Sequence, residues 1–135
     1  MRDCDFVDTN IFLRFFTADV PELSIRTKKL IDELARGSRE MMTSDLVIAE
    51  LVWVMESFYK LSAHDIVTKI CFLVNLRGLK LMNKSLILEA LEDYERHNID
   101  YIDAYNAAFM KFHGISALYT YDRDYDKMGV RRLEP

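Results

Sequence analysis

Four carboxylates in this chain are placed to do chemistry: Asp8, Glu50, Asp103 and Asp122. Asp8 lies in Asp5-Phe6-Val7-Asp8-Thr9-Asn10-Ile11-Phe12-Leu13, which reads as the end of a strand running into a helix. In open α/β sheets, ligands bind in the crevice outside the carboxyl ends of the strands. Asp122 follows the apolar run Ala117 to Tyr121, a second such strand end. Asp103 falls in the first turn of a helix opened by Asp100, where the helix dipole favours negative charge. Glu50 has Leu46 and Val54 four positions away and Val47 and Trp53 three away, its neighbours on a helix surface. A carboxylate on such an apolar stripe is expensive unless it finds a partner, a proton or a metal. Crowded carboxylates also repel and raise one another's pKa, which a divalent cation relieves. Oxygen ligands without a His or Cys set favour Mg²⁺ or Mn²⁺ over zinc. Such sites polarise phosphoryl oxygens and activate water, with two ions about 4 Å apart where both bind.

The elements that must hold these acids alternate between strand and helix. Residues 3–7 predict a short strand, and Ile11 to Phe16 a first helical turn or two. Pro21 suits the first turn of the next helix, which Gly37 ends. Met41-Met42-Thr43 predicts a second strand, and Ser44 the N-cap of the helix carrying Glu50. Ser62-x-x-Asp65 has the form of a capping box, opening a helix through Val74. Residues 79–82 predict a third strand, and Ser85 to Arg96 an amphipathic helix stopped by Asn98. Ala104, Ala107 and Ala108 are small enough to let their helix lie close to a sheet, and Gly114 ends it. Ala117 to Tyr121 is a fourth strand and Val130 to Leu133 a short fifth. This order predicts an α/β fold with a mainly parallel sheet of four to five strands covered on both faces. Helices that follow strands in such a sheet begin where those strands end, so the four acids are expected to share one cleft.

Each acid also has a plainer explanation. Asp8 can cap the first helix, as can Thr9 or Asn10. Asp122 can be a cap or turn residue, and Asp103 can serve only the dipole. Glu50 can pair with an arginine. Their co-occurrence favours the metal site. Asp100 reads as a cap, and Asp124 and Asp126 as outer acids, with Asp124 the first of these to join the site. His64, His97 and His113 lie far apart in sequence, mostly at helix ends, and receive no catalytic role. The basic residues, Arg14, Arg77, Lys80, Arg123 and Arg132 among them, are dispersed along the chain, as on an ordinary solvated surface.

At 135 residues the expectation is one domain, residues 1–135, with a core of its own. Half of the residues are hydrophobic and 30% are charged, which excludes a disordered chain. A net charge of −4 argues against a nonspecific nucleic-acid coat, yet fits a nuclease whose own acids supply part of that charge. No apolar run is long enough to span a membrane, no leader pattern opens the chain, and Cys4 and Cys71 have no metal-binding or redox spacing. These features predict a cytoplasmic protein with reduced cysteines.

The set resembles the PIN-domain nucleases, and within them the toxin component of VapC-type toxin–antitoxin pairs. The resemblance rests on Phe6-Val7-Asp8-Thr9-Asn10, Ala49-Glu50-Leu51, Asp103-Ala104 and Thr120-Tyr121-Asp122-Arg123-Asp124-Tyr125, and spans essentially the whole chain. It implies a three-layer α/β/α fold with a central parallel sheet, metal-dependent cleavage of RNA, and a small antitoxin as partner. It also implies metal-site roles for Asp8, Glu50, Asp103 and Asp122, with Asn10 and Thr120 orienting groups around them. Tyr121 departs from the family, in which a small polar residue is common before the last aspartate. A homodimer is expected from the apolar Ile11-Phe12-Leu13-x-Phe15-Phe16 and the aromatic stretch Trp53 to Tyr59, although an antitoxin helix would want the same surface. The rival expectations are a PIN-type RNA-processing or DNA-directed nuclease and a non-catalytic PIN-fold binding module. A haloacid-dehalogenase-like phosphatase would want an aspartate where Asn10 stands.

Overall fold

The computed structural model describes residues 4–135, so residue 3 of the first expected strand lies outside the described residues. The chain divides into two compact units, one ending at Met82 and the other Asn83–Pro135.

The first unit is built on three short parallel strands, β1 (Asp5–Phe6), β2 (Met41–Met42) and β3 (Leu79–Lys80), in that order across the sheet. Hydrogen bonding runs past the strand ends. The Val7 N–H donates to the Met42 carbonyl (2.8 Å), and the Thr43 N–H to the Lys80 carbonyl (3.2 Å). The buried Thr43 hydroxyl then donates to the Val7 carbonyl at 2.8 Å, tying β1 to β2 just before Asp8.

Helices α1 (Thr9–Thr17), α2 (Pro21–Arg36), α3 (Asp45–Ser57) and α4 (Ala63–Val74) surround these strands in sequence. Their ends follow local chemistry. Asp8 caps α1, Ser44 caps α3 through the Val47 N–H, and Ser62 caps α4 through the Asp65 N–H. Pro21 occupies the first turn of α2, and Gly37 closes it at φ 73°, a left-handed conformation that costs glycine little. Gly78 is required for a different reason. A Cβ there would lie 1.9 Å from the Arg39 carbonyl oxygen, so only glycine lets the chain enter β3 against the segment that joins α2 to β2. The core is made by Phe12, Ile31, Leu34, Ile48, Leu51, Met55, Ile66, Ile70 and Leu73, all essentially without solvent contact. Each such aliphatic side chain contributes about 1.5–3 kcal/mol on burial.

The second unit contains α5 (Lys84–His97), α6 (Tyr101–Phe112), β4 (Ala117–Tyr119), a 3₁₀ helix (Arg123–Met128) and β5 (Arg131–Leu133). Strands β4 and β5 pair in parallel, with Ala117 opposite Arg131 and Tyr119 opposite Leu133. Asn98 ends α5 at φ 51°, a left-handed position that asparagine tolerates. The small residues of α6 (Ala104, Ala107 and Ala108) are buried, and the main packing partner of α6 in this unit is α5. Small side chains permit close approach to any neighbour, and here a helix takes it. Leu86, Ile87, Leu91, Tyr94 and Tyr101 complete this core.

The α/β class and the parallel pairing are as expected, with strands shorter than their apolar runs. Apolar residues continue past the last ladder bond, so hydrophobicity overstates strand length. The 3₁₀ helix after Asp122 is not predicted by the residue pattern.

Candidate functional site

In the second unit the chain brings together Asp103, Asp122 and Asp124. One carboxylate oxygen from each lies within 4.8 Å of the others. Asp103 arrives from the first turn of α6, and the other two from the turn after β4. That turn is held by its own side chains. The Asp122 N–H donates to the Thr120 hydroxyl at 3.1 Å, and the Asp124 N–H donates to Asp122 Oδ1 at 2.9 Å. Asp122 is therefore both the N-cap of the 3₁₀ helix and a member of the acid group. Asp124 also pairs with Lys127 at 3.4 Å, one turn on.

Tyr125, buried at 4% exposure, closes the group from inside. Its hydroxyl donates to Asp103 Oδ1 at 3.0 Å, and the side-chain amide of Asn106 donates to the Tyr125 oxygen at 3.1 Å. Burial pushes the Asp103 carboxyl above the usual aspartate range. The Tyr125 hydrogen bond opposes that rise, while the charges of Asp122 and Asp100 add to it. Burial likewise raises the Tyr125 phenol, against the Asn106 hydrogen bond, so the hydroxyl keeps its proton. Tyr125 closes the last of the sequence motifs but has no role assigned by it, and Asn106 lies outside all of them. The available signal was the i, i+3 pair Asp103 and Asn106 on one helix face, but the Tyr125 contact spans 22 residues.

In the first unit Asp8 follows β1, and Glu50 lies in α3, the helix that follows β2. Asp8 is exposed and accepts from the Thr9 N–H at 2.8 Å through Oδ1. This is the capping role. Thr9 is buried at 5% exposure, and its hydroxyl oxygen has no hydrogen-bond partner among the described residues. Asn10 is exposed beside them.

Glu50 lies in the second turn of α3, and there the expectation of a carboxylate set in an apolar stripe is corrected. Glu50 is solvent-exposed, and so are Leu46 at 80% and Trp53 at 66%. Residues 46, 50 and 53 share the outer face of α3, while Val47, Ile48, Leu51 and Val52 point inward. Glu50 therefore carries no burial cost that demands a partner. The misreading came from α3 being apolar on more than its core face.

The remaining residues of interest have ordinary surroundings. His97 sits 3.8 Å from Asp93, and the His113 ring lies 4.3 Å from the Phe109 ring. Arg132 is engaged by Asp126 at 3.3 Å and Glu134 at 3.5 Å, and Lys80 by Glu40 at 3.8 Å. Asp100 occupies the N-cap position of α6 without a side-chain capping bond, and Tyr121 is 73% exposed. Neither Cys4 nor Cys71 is disulfide-bonded. No described helix is long and apolar enough to cross a membrane.

Comparison with known proteins adds three findings. A sequence model of the PIN domain matches residues 6–130. A VapC ribonuclease of Aquifex aeolicus (strain VF5) is 25% identical over 130 residues, covering 96% of this chain and 95% of that one. The crystal structure of Mycobacterium tuberculosis VapC20, described as a sarcin-ricin loop cleaving toxin, aligns at 23% identity and a TM-score of 0.39, covering 96% of this chain and 98% of that chain.

Proposed function

Because the chain belongs to the PIN domain family, we propose that it is a divalent-metal-dependent endoribonuclease of the VapC type, the toxin of a toxin–antitoxin pair. The observation that carries this reading is the group of three carboxylates, Asp103, Asp122 and Asp124, with oxygens within 4.8 Å of one another. The group contains no His or Cys, and an all-oxygen donor set of this kind fits Mg²⁺ or Mn²⁺. The relative named as a VapC ribonuclease supports RNA as the substrate.

Asp103 and Asp122 would hold the cation, with Asp124 beside them. When bound, the ion neutralises the crowded carboxylates, polarises a phosphoryl oxygen and lowers the pKa of water. The Asp124 N–H holds the Asp122 carboxylate and the Thr120 hydroxyl holds the Asp122 backbone N–H, so ordering the carboxylate costs little at the moment of binding. Asp8 and Glu50 serve the same activity, with Asn10 orienting groups beside Asp8. The two units act as one functional PIN domain over residues 1–135 in the cytoplasm. A homodimer and a small antitoxin use the exposed apolar side chains of the first unit, Leu46, Trp53 and Phe58 among them.

The test is cleavage of RNA and DNA side by side, with Mg²⁺, with Mn²⁺ and with chelator. RNA cut only in the presence of the ion, leaving a 5′-phosphate and a 3′-hydroxyl, is the expected result. The chain offers no histidine pair to activate the 2′-OH, so a 2′,3′-cyclic phosphate or full activity in chelator would overturn the reading. Cleavage of DNA alone would move it to a DNA-directed nuclease. Light scattering at high protein concentration, with no partner present, tests the dimer.

A further inference from the structure

We propose that Tyr125 is a positioning residue of the acid group, its hydroxyl aimed at Asp103 by the side chain of Asn106. The inference rests on the metal-dependent reading above and deepens it.

Tyr125 is 4% exposed, and a hydroxyl at such depth needs partners. Phenylalanine would fill the ring's space without that demand. The partners present are Asp103 Oδ1 at 3.0 Å and Asn106 Nδ2 at 3.1 Å. An ionised carboxylate can only accept, so the one phenolic hydrogen must go to Asp103. The Tyr125 oxygen then needs a donor on its other side. Asn106 supplies it by turning its NH₂ group inward, since its carbonyl oxygen would compete for the same hydrogen. The chain of bonds thus has one self-consistent direction, from amide to phenol to carboxylate. Bonds aligned in this way strengthen one another, and the last is charge-assisted.

The bond has a consequence for the acid group. A carboxylate in the first turn of a helix ordinarily rotates between rotamers. The Tyr125 bond occupies Oδ1 and ties α6 to the 3₁₀ helix that carries Asp124. Oδ2 remains for a cation, already oriented. Asp103 and Asn106 lie one turn apart on the same face of α6, so one helix supplies both ends of the chain of bonds and the 3₁₀ helix its middle. Outer-sphere partners of this type typically carry about 10–100-fold in metal affinity.

The experiment is calorimetric titration of Mn²⁺ alone into the full-length, metal-free protein, without RNA, alongside thermal melting in chelator. Tyr125→Phe should weaken Mn²⁺ binding by about 10–100-fold while the melting temperature stays close to that of the wild type. Asn106→Ala, at an exposed position, should weaken it by less, up to about 10-fold. The double variant should bind no more weakly than Tyr125→Phe alone, because both changes cut one chain of bonds. Wild-type affinity in Tyr125→Phe, or independent losses that add in the double variant, would overturn the proposal. Should Tyr125→Phe fail to fold, unchanged affinity in Asn106→Ala overturns it equally. A wild-type protein that shows no saturable Mn²⁺ binding takes down the metal reading, and this inference with it.

Discussion

The two units treat their acids in opposite ways. In Asn83–Pro135, Asp103, Asp122 and Asp124 crowd together over a buried tyrosine, and burial raises the Asp103 carboxyl. In the unit ending at Met82, Asp8 and Glu50 stand in solvent, the first engaged as a helix cap and the second on an outer helix face. Each unit has one acid just past a strand, Asp8 after β1 and Asp122 after β4, and one early in a helix, Glu50 in α3 and Asp103 in α6. What differs is the company each carboxylate keeps. A carboxylate in water is nearly indifferent to a cation, whereas one already desolvated among like charges gains from neutralisation. The second unit therefore carries crowded carboxylates that a bound cation would relieve, and the first carries acids that cost the fold little.

The largest expected difference is in activity. Asp122→Asn keeps an oxygen to accept from the Asp124 N–H but removes a charge from the crowded group. RNA cleavage should fall by about 10²–10³-fold, the scale felt when one preorganised group is removed from a reacting centre. Single-turnover kinetics on a defined RNA would check this, and near wild-type rates would erase the distinction between the units.

Asp8 separates capping from chemistry. Asp8→Asn should still cap α1 and melt like the wild type, whereas Asp8→Ala should lose about 1 kcal/mol of stability. Cleavage should fall in both variants. Urea titrations paired with cleavage assays distinguish the two roles, and an Asp8→Asn protein with full activity would leave Asp8 a cap alone.

The pH dependence of the metal-free protein sharpens the contrast further. The Asp103 carboxyl is raised in the folded state, with burial as the leading cause. Its share of stability is therefore fully present below the ordinary aspartate value of about 3.9 and is lost as pH climbs through the raised value. In chelator, Asp103→Asn should therefore gain on the wild type as pH rises from mildly acid to neutral. Thermal melts of the two proteins across that range would show it, and parallel curves would count against a desolvated Asp103. The smallest effect is expected at Glu50. Glu50→Gln should change stability by no more than about 0.5 kcal/mol, as at other exposed sites, while still reducing cleavage.

The sequence by itself determined the local features of this protein. Pro21, Gly37, Ser44, Ser62, Asn98 and Gly114 mark helix boundaries through backbone chemistry acting over a few residues, and so could be read directly. The placement of Asp8 after β1 and Asp122 after β4 was legible for the same reason. Strand lengths were less so, because a ladder ends where its partner strand ends, and the partner lies some 35 residues away in the pairing of β1 with β2. Tertiary structure alone decided which faces of the apolar helix α3 meet the core, and so left Leu46, Glu50 and Trp53 in solvent. It alone brought Tyr125 to Asp103 and Asn106, since no local rule links residues 22 positions apart. Burial and crowding are properties of packed neighbours, so the strain on Asp103 existed only once α6 and the turn after β4 had come together.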